Sequence, residues 1–117
     1  MLKDKLKMSG ELDIVVRGKD GKVKEKKKVK NLVVTVGLTY ICSRMKDATA
    51  TAMTHMGIGS GTTAAAAGQT DLVTLLGSRE ALDSTTASTS TIAYVSSYEA
   101  GDGTGAVTEA GIFNAST

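Results

Sequence analysis

The pattern of hydrophobic and polar residues changes its period along the chain, and the first clear segment alternates. In "ELDIVVRG", Leu12, Ile14 and Val16 occupy every second position, which is typical of a strand with one buried face. Beyond "GKDGK", the segment "KVKEKKKVKN" also alternates, with valines on one face and lysines on the other. The pair Asp20-Gly21 favours a two-residue turn in which both central residues have positive φ. The pattern therefore predicts an antiparallel β-hairpin.

Hydrophobic residues then recur at intervals of three and four, which is typical of an amphipathic helix. We expect a helix over residues 35–46 that covers one end or face of a sheet, with Thr35 as its N-cap. Arg44 and Lys46 would lie at the helix end that attracts cations. On this prediction Cys42 is a buried small hydrophobic residue and not a nucleophile. The residues at helical spacing are Val34, Leu38, Ile41, Cys42 and Met45.

Short alternating runs separated by turns fill the rest of the chain and predict a mainly β fold, a small antiparallel β-sandwich or jelly-roll-like domain. The leucines of 72–76 form either one helical turn or an extended connector, and "TTASTS" is an exposed loop or the start of a polar strand. We expect residues 1–10 to be a flexible N-terminal arm and residues 11–117 to be a single β-rich domain. The predicted strands lie near 54–58, 79–84, 91–100 and 106–113.

Composition indicates that the hydrophobic core is thin. The 117 residues fit one domain and are 41% hydrophobic, but fourteen of the hydrophobic residues are alanines, and Phe113 and three tyrosines are the only aromatics. Oligomerisation is a common supplement to so small a core, and we expect a homo-oligomer. The lone cysteine excludes an intrachain disulfide and fits a reducing compartment. No run approaches the roughly 18 apolar residues of a membrane span, so we expect a soluble protein made in the cytoplasm.

The net charge of +2 conceals a separation of charge along the chain. Residues 1–30 hold eleven of the fourteen basic residues and five acids, for a net charge of +6, whereas residues 31–117 hold three bases and seven acids, for −4. Ends of opposite charge suit head-to-tail or side-by-side packing of subunits into an array.

No group of residues in the sequence indicates catalysis. His55 is the only histidine and has no second metal ligand at a suitable spacing, so we interpret it as a histidine at a strand end. The segment "GIGSGT" superficially resembles a phosphate loop but has neither G-x-G-x-x-G spacing nor a G-K-[ST] ending. Asp102 is a lone acid in a turn, whereas a calcium loop gathers several oxygen donors. We expect no catalytic residue, no metal and no cofactor, and hence no enzyme.

Two features remain as candidates for binding or structure. Glu109 lies among small residues on a predicted strand, where it either caps backbone amides or pairs with Arg79 or Arg44. The basic hairpin could attract phosphates, but it lacks the interleaved aromatic residues on which bases stack, so nucleic acid is a disfavoured partner. The candidate interface residues are Lys22, Lys24, Lys26, Lys28, Val107, Ile112 and Phe113.

Several blocks of the sequence together resemble small virion structural proteins of tailed bacteriophages. The blocks are Asn-Leu-Val-Val at 31–34, Met-x-Ile-Gly-x-Gly-Thr-Thr-Ala at 56–64, a Leu…Arg connector at 72–79 and Glu-Ala-Gly-Ile-Phe-Asn at 109–114. They are specific as a set and weak singly, and the likeness covers nearly all of 10–117. Members of this family are described as structural, tail-fibre-like or head-decorating proteins.

The resemblance implies a protein of the virion that is assembled in the host cytoplasm and catalyses nothing. The first expectation is a capsid decoration or cement protein that binds the major capsid protein and stabilises the head. The alternative is a tail component, either a fibre-anchoring adaptor or a baseplate protein that contacts other tail proteins. A third hypothesis is a nucleic-acid-binding protein that uses the basic hairpin.

One departure from the family concerns the C-terminal strand. Relatives continue beyond the equivalent of Phe113-Asn114 with further strands, whereas this sequence stops at Thr117. Because an open sheet edge exposes unpaired backbone donors and acceptors, we expect the strand at 106–113 to be covered by another chain or by the N-terminal arm.

Overall fold

The computed structural model describes residues 7–117 and is mainly β, with antiparallel sheets and one helix, as predicted. The strands form three small sheets, β1–β2, β4–β3–β7 and β5–β6. Of the predicted N-terminal arm, residues 1–6 lie outside the described residues, and the first strand begins one residue before position 11. The elements are β1 Gly10–Arg17, β2 Val23–Asn31, α1 Thr35–Lys46, β3 His55–Gly59, β4 Glu80–Ala81, β5 Ser84–Ser88, β6 Thr91–Val95 and β7 Glu109–Phe113.

The predicted hairpin is present, and its register follows the alternation of the sequence. Leu12 lies opposite Val29 and Ile14 opposite Lys27. Directly opposite residues of an antiparallel pair point to the same side of the sheet, so one face carries Leu12, Ile14 and Val29. Leu12 and Ile14 are half-buried, whereas every residue of β2 is exposed.

The predicted two-residue turn of this hairpin is wrong. The N–H of Gly18 donates to the Lys22 carbonyl at 2.9 Å, and this hydrogen bond closes a turn of three residues, 19–21. The strand register also shifts between Val16 and Arg17. Within the turn only Gly21 has positive φ, at 78°. Asp20 keeps negative φ and accepts a hydrogen bond from the Lys22 N–H at 3.0 Å, so glycine is required at one position and not two.

The helix has the predicted bounds, Thr35–Lys46, with Arg44 and Lys46 in its last turn, but its N-cap and its orientation differ from the prediction. Val34 is the N-cap, and its aliphatic side chain cannot accept a hydrogen bond. The Thr35 N–H donates instead to the Ala67 carbonyl at 2.8 Å. Tyr40 is half-buried and lies close enough to Tyr94 of β6 to interact with it electrostatically.

The side chains expected to pack inward from α1 are therefore largely exposed. Leu38 is 41% exposed and Met45 is 68% exposed, and Cys42 is exposed as well. The expectation of a buried cysteine is wrong. The half-buried side of α1 contains Gly37, Tyr40 and Ile41, and Cys42 lies outside it. The spacing of hydrophobic residues in the sequence did not distinguish these two sides of the helix.

Strand β3 is the centre of the main sheet. One edge of β3 pairs with β7 along its whole length, from His55 opposite Phe113 to Gly59 opposite Glu109. The other edge pairs with β4 and then with residues 74–76, through hydrogen bonds such as Leu76 N–H to the Ile58 carbonyl at 2.9 Å. The leucine segment at 72–76 is thus an extended connector and not a helical turn.

Three glycines at alternate positions let other parts of the chain approach β3 closely. Gly57, Gly59 and Gly61 are the only buried residues among 7–117. A Cβ on Gly57 would lie 3.1 Å from both the Leu72 and the Phe113 side chains. A Cβ on Gly61 would lie 2.6 Å from the Glu109 carboxylate, closer than real Cβ atoms approach. The face of β3 that carries these glycines is therefore covered by the chain itself.

The remaining predicted strands exist but are shorter. The strand expected near 79–84 is the two-residue β4, and the strand expected over 106–113 is β7, which begins only at Glu109. The polar "TTASTS" contributes β5, which pairs with β6 through a turn where Thr89 has φ of 51°. Strand β7 is the last in its sheet and its five residues are half-buried; no other described strand pairs with its second edge.

No hydrophobic side chain in residues 7–117 is fully buried. The chain measures 58 × 30 × 24 Å and has a Cα radius of gyration of 15.4 Å, against about 13.4 Å for a compact domain of this length. The thin core expected from composition is confirmed, and most large aliphatic side chains are only partly covered.

We predict that Gly59→Ala destabilises the fold by about 1–3 kcal/mol, because the added methyl group would overlap the Thr74 carbonyl and the Glu109 side chain. Urea unfolding at neutral pH measures the change. Gly68→Ala is the matched control, since a Cβ added at Gly68 would have no atom within 4 Å and Gly68 lies outside the left-handed region; its stability should change by less than about 1 kcal/mol. Equal unfolding midpoints for the two variants would contradict the close packing at β3.

Candidate functional site

The lysines proposed as an interface lie on one open face of the hairpin. Across the hairpin, Lys26 faces Val15, Lys28 faces Asp13 and Lys30 faces Glu11. We call this the lysine face; it consists of Lys24, Lys26, Lys28 and Lys30 of β2 with Glu11, Asp13 and Val15 of β1. All of these side chains are exposed. Lys22 precedes β2 and belongs to the turn.

Among the residues that the structure describes, Lys28 is the one lysine of the lysine face engaged in an ion pair. Its Nζ lies 3.1 Å from a Glu11 oxygen and 3.9 Å from an Asp13 oxygen. The hydrogen bond to Glu11, with the charges of Asp13 and Glu11, raises the pKa of Lys28. These groups are solvated, so the pairing contributes little to stability, but it removes part of the positive charge from the middle of the face.

Val107 lies on the opposite side of the hairpin from the lysine face. A cavity of about 400 Å³ separates the apolar face of the hairpin from the loop that precedes β7. Val107 is 38% exposed and faces the hairpin across this cavity. The structure therefore does not bring Val107 together with the candidate lysines. The cavity is lined by Ile14, Val16, Glu25, Lys27, Gly105, Ala106 and Val107.

Phe113 is involved in a contact within the chain. The guanidinium carbon of Arg79 lies 3.6 Å from the centre of the Phe113 ring, an arrangement that favours a cation–π interaction. Arg79 also donates to the Ala115 carbonyl and to Asp71, both at 3.1 Å, and its side chain is only 11% exposed. Ile112 is half-buried on the other face of β7. Ile112 and Phe113 thus lie in a different sheet from the lysine face.

The carboxylate of Glu109 holds three parts of the chain together. Its Oε1 accepts hydrogen bonds from the Thr74 N–H at 2.7 Å and the Gly61 N–H at 3.0 Å, and its Oε2 accepts one from the Val73 N–H at 2.9 Å. Of the alternatives left open by the sequence, capping of backbone amides is the one observed. Arg79 pairs with Asp71 instead, and Arg44 donates to the Ala50 carbonyl.

The three amides decide the ionisation of Glu109. Partial burial alone would raise its pKa, but the hydrogen bonds from Thr74, Val73 and Gly61 outweigh this effect, and the pKa is lowered from its usual 4.5. A carboxylate that accepts several backbone N–H bonds is stabilised in its charged form. The likeness of "GIGSGT" to a phosphate loop thus has a physical basis, since the segment does contribute an amide to an anion, but that anion is a side chain of the protein.

The other residues considered for chemistry have ordinary surroundings. His55 Nδ1 lies 2.7 Å from the Thr54 hydroxyl, so its neighbour in sequence satisfies it. Asp102 lies in a turn in which its N–H donates to the Glu99 carbonyl at 3.0 Å. Residues 7–117 contain no group of three or more potential metal-ligating side chains of histidine, cysteine, aspartate or glutamate.

Sequence reasoning missed two polar contacts that fix the main sheet. The first is the stack of Arg79 on Phe113, described above. The second is the hydrogen bond from the Tyr98 hydroxyl to the Met56 carbonyl at 2.8 Å; burial, with a smaller contribution from the charge of Glu80, raises the pKa of Tyr98 to about 12. The one available signal was that Arg79 and Tyr98 are large residues isolated among small ones.

No protein-family model, curated protein or solved structure matches the chain. Across residues 7–117, no helix is long and apolar enough to cross a membrane. Function is therefore inferred from the surfaces described above and from the resemblance of the sequence blocks.

We predict that Glu109→Gln destabilises the protein at pH 7 by about 1–3 kcal/mol, because the amide cannot accept as well as a carboxylate from all three N–H groups, and towards the lower end because the carboxylate is only half-buried. Since folding lowers the pKa of Glu109, its stabilising contribution is complete above its unfolded pKa near 4.5 and is lost as the pH falls through the lower folded value. Urea unfolding from pH 7 to pH 3 should show the gap between wild type and variant closing below about pH 4.5.

Glu99→Gln is the control for this measurement. Glu99 is exposed, and its carboxylate forms no hydrogen bond or ion pair with the part of the chain from residue 7 onward. The control should match the wild type within about 0.5 kcal/mol. A gap for Glu109→Gln that stayed constant across the whole pH range would show that the carboxylate charge is not what stabilises the sheet.

Proposed function

We propose that the protein is a non-enzymatic structural component of a tailed-bacteriophage particle, and in the first place a capsid decoration protein that binds the major capsid protein and stabilises the head. The sequence blocks that suggest this class lie at the structural centre of the chain. Met-x-Ile-Gly-x-Gly-Thr-Thr-Ala includes β3 and its glycines, and Glu-Ala-Gly-Ile-Phe-Asn includes β7 and Glu109.

The observation that carries the proposal is the amount of surface left open. The chain has an accessible surface of 8879 Å², against about 6,000 Å² for a compact monomer of 12 kDa. The difference, about 2,900 Å² on one chain, is comparable with one subunit's share of a large permanent interface, which buries about 2,000–5,000 Å² or more over both partners. A protein that buries much of its apolar surface only in an assembly suits a structural role better than a role as a monomeric enzyme.

The open surface is apolar in several places at once. Exposed large hydrophobic residues occur on the hairpin, on the helix and on β6, which belong to different parts of the fold. Many modest contacts repeated by the symmetry of a shell add up to large stability without a single dominant contact. Such exposed residues include Val15, Val23 and Val29 of the hairpin, Val36, Leu38 and Met45 of α1, and Ile92 and Val95 of β6.

A tail component is the second candidate, either a fibre-anchoring adaptor or a baseplate protein. The same sequence blocks support it, and the elongated outline of 58 × 30 × 24 Å with two separate hairpin sheets suits a connector between other proteins. The number of copies per particle distinguishes the two candidates, because a head surface offers many more equivalent sites than a tail.

We predict that quantitative mass spectrometry of purified particles from an infected host detects the chain at hundreds of copies per particle. A few dozen copies or fewer would favour the tail. Purified decoration-free heads should also bind the added protein and withstand a higher temperature before they release DNA, because binding to the assembled state alone stabilises it. Absence of the chain from purified particles would overturn both candidates.

Nucleic-acid binding by the hairpin is the third hypothesis, and we expect a negative result. Residues 10–31 contain no aromatic side chain, and Glu11 and Asp13 partly neutralise the lysine face. Filter binding of short single-stranded and duplex DNA should show no saturable retention at physiological salt. Saturable binding that weakens linearly on a log–log plot against salt would support phosphate contacts by the lysines instead.

A further inference from the structure

We propose that the lysine face of the hairpin is covered by a second copy of this chain, which presents the acidic part of its residues 32–117 in a head-to-tail contact. The proposal goes beyond a structural role in a particle, because it names the partner of one surface and can be tested with the purified chain alone.

The lysine face has no partner within the described chain. The hairpin meets the rest of the protein with its other face, across the cavity that Val107 and its neighbours line. Lys24, Lys26 and Lys30 make no ion pair with any of residues 7–117, and the pair of Lys28 is internal to the hairpin. An isolated two-stranded sheet is marginally stable in water, so a partner on this face would also support the hairpin itself.

The rest of the chain has the opposite charge, and part of it is gathered in one region. Asp102 and Glu99 share the turn that follows β6, joined by the backbone hydrogen bond between them. Glu80 acts on the neighbouring Tyr98 electrostatically, and Asp83 accepts a hydrogen bond from the Ser97 hydroxyl at 2.6 Å. These four acids lie around residues 97–102, and Asp83, Glu99 and Asp102 are exposed.

The two charged regions do not neutralise each other inside one chain. Every ion pair in residues 7–117 is either within the hairpin or within the remainder, and none joins the two. Lys27 lines the cavity beside Val107, whereas the lysines of the lysine face lie on the other side of the hairpin. Complementary charge that is unsatisfied within a subunit is available between subunits, where it orients and selects the partner.

A contact between two different patches of the same chain repeats. Each copy offers a lysine face to one neighbour and an acidic region to another, which gives a ring if the rotation closes and a filament if it does not. A standard interface removes roughly 800 Å² from each partner, so two per copy need roughly 1,600 Å². The excess surface of about 2,900 Å² derived above covers this requirement.

Charge reversal on the full chain tests the contact. Lys24→Glu/Lys26→Glu changes the net charge of the lysine face from +2 to −2, and Glu99→Lys/Asp102→Lys changes that of the exposed pair in the turn after β6 from −2 to +2. Within residues 7–117 none of these four side chains takes part in an ion pair. Lys7→Glu/Lys19→Glu, at two exposed lysines outside the lysine face and the acidic region, is the control for the lysine variant, because it changes the net charge by the same amount, −4. Sedimentation velocity at low and high salt measures self-association, and circular dichroism checks that each variant is folded.

We expect the wild type and the control to self-associate at low salt, and the association constant to fall at least roughly tenfold at high salt, where the charges are screened. Each charge-reversed variant alone should be monomeric. An equimolar mixture of the two variants, or one chain that carries all four substitutions, should associate again, since each hairpin then faces a region of opposite charge.

Three results would overturn the proposal. They are a wild type that stays monomeric at low salt, charge-reversed variants that associate as the wild type does, and a mixture that fails to restore association. If the wild type instead binds an added acidic protein or a polyanion while remaining monomeric, the lysine face has a different occupant. None of these results bears on whether the chain is present in particles, so the two proposals can fail separately.

Discussion

The carboxylate of Glu109 and the glycines beneath it are the point where distant parts of the chain meet. Glu109 begins β7, Gly61 follows β3, and Val73 and Thr74 belong to the connector on the other edge of β3. Each hydrogen bond to a charged acceptor contributes on the order of 1.5–3 kcal/mol. No hydrophobic side chain in residues 7–117 is fully buried. These polar contacts therefore fix the positions of β3, β7 and the connector, a role that a larger hydrophobic core has in other domains.

The same arrangement explains why the main sheet can exist with so few aromatic residues. Glycine at positions 57, 59 and 61 lets the connector lie directly on β3, so backbone atoms fill the space that large side chains occupy in other small domains. Arg79 then closes one end of the sheet by stacking on Phe113 and binding the Ala115 carbonyl. The two hairpins and the outer face of the helix are not part of this glycine-lined region. They carry most of the large hydrophobic residues that remain exposed.

The sequence predicted those elements whose signal is local. Alternation in 12–16 and 23–29 defined the hairpin and its faces, and the intervals in 34–45 defined the bounds of the helix. The errors occur where a local pattern is compatible with more than one structure. Asp20-Gly21 is compatible with more than one type of turn, and helical spacing does not determine which side of α1 is buried. The half-buried side of α1 is the one around Gly37, Tyr40 and Ile41.

The candidate site divides in the same way. The lysines could be read directly from β2, and Glu109 was recognised as an acid that must find donors, with amides among the alternatives. Its actual partners, and the stack of Arg79 on Phe113, join residues 34 to 48 positions apart. No periodicity reports such pairs, so only the folded chain reveals that Phe113 has an internal partner, and that among residues 7–117 Lys24, Lys26 and Lys30 form no ion pair.

The separation in sequence between Gly61 and Glu109 also bears on the order in which the protein folds during synthesis. The hydrogen bonds of the hairpin and the helix are local in sequence, but β3 cannot pair with β7 until residues 109–113 have been translated. Closing so long a loop is entropically costly, and non-local strand pairing is slow. During that interval the glycine strand exposes unpaired edges, which makes the nascent chain vulnerable to aggregation. Slow synthesis of the segment between Thr74 and Glu109 would prolong this interval. A chaperone that binds the glycine strand would reduce aggregation during it.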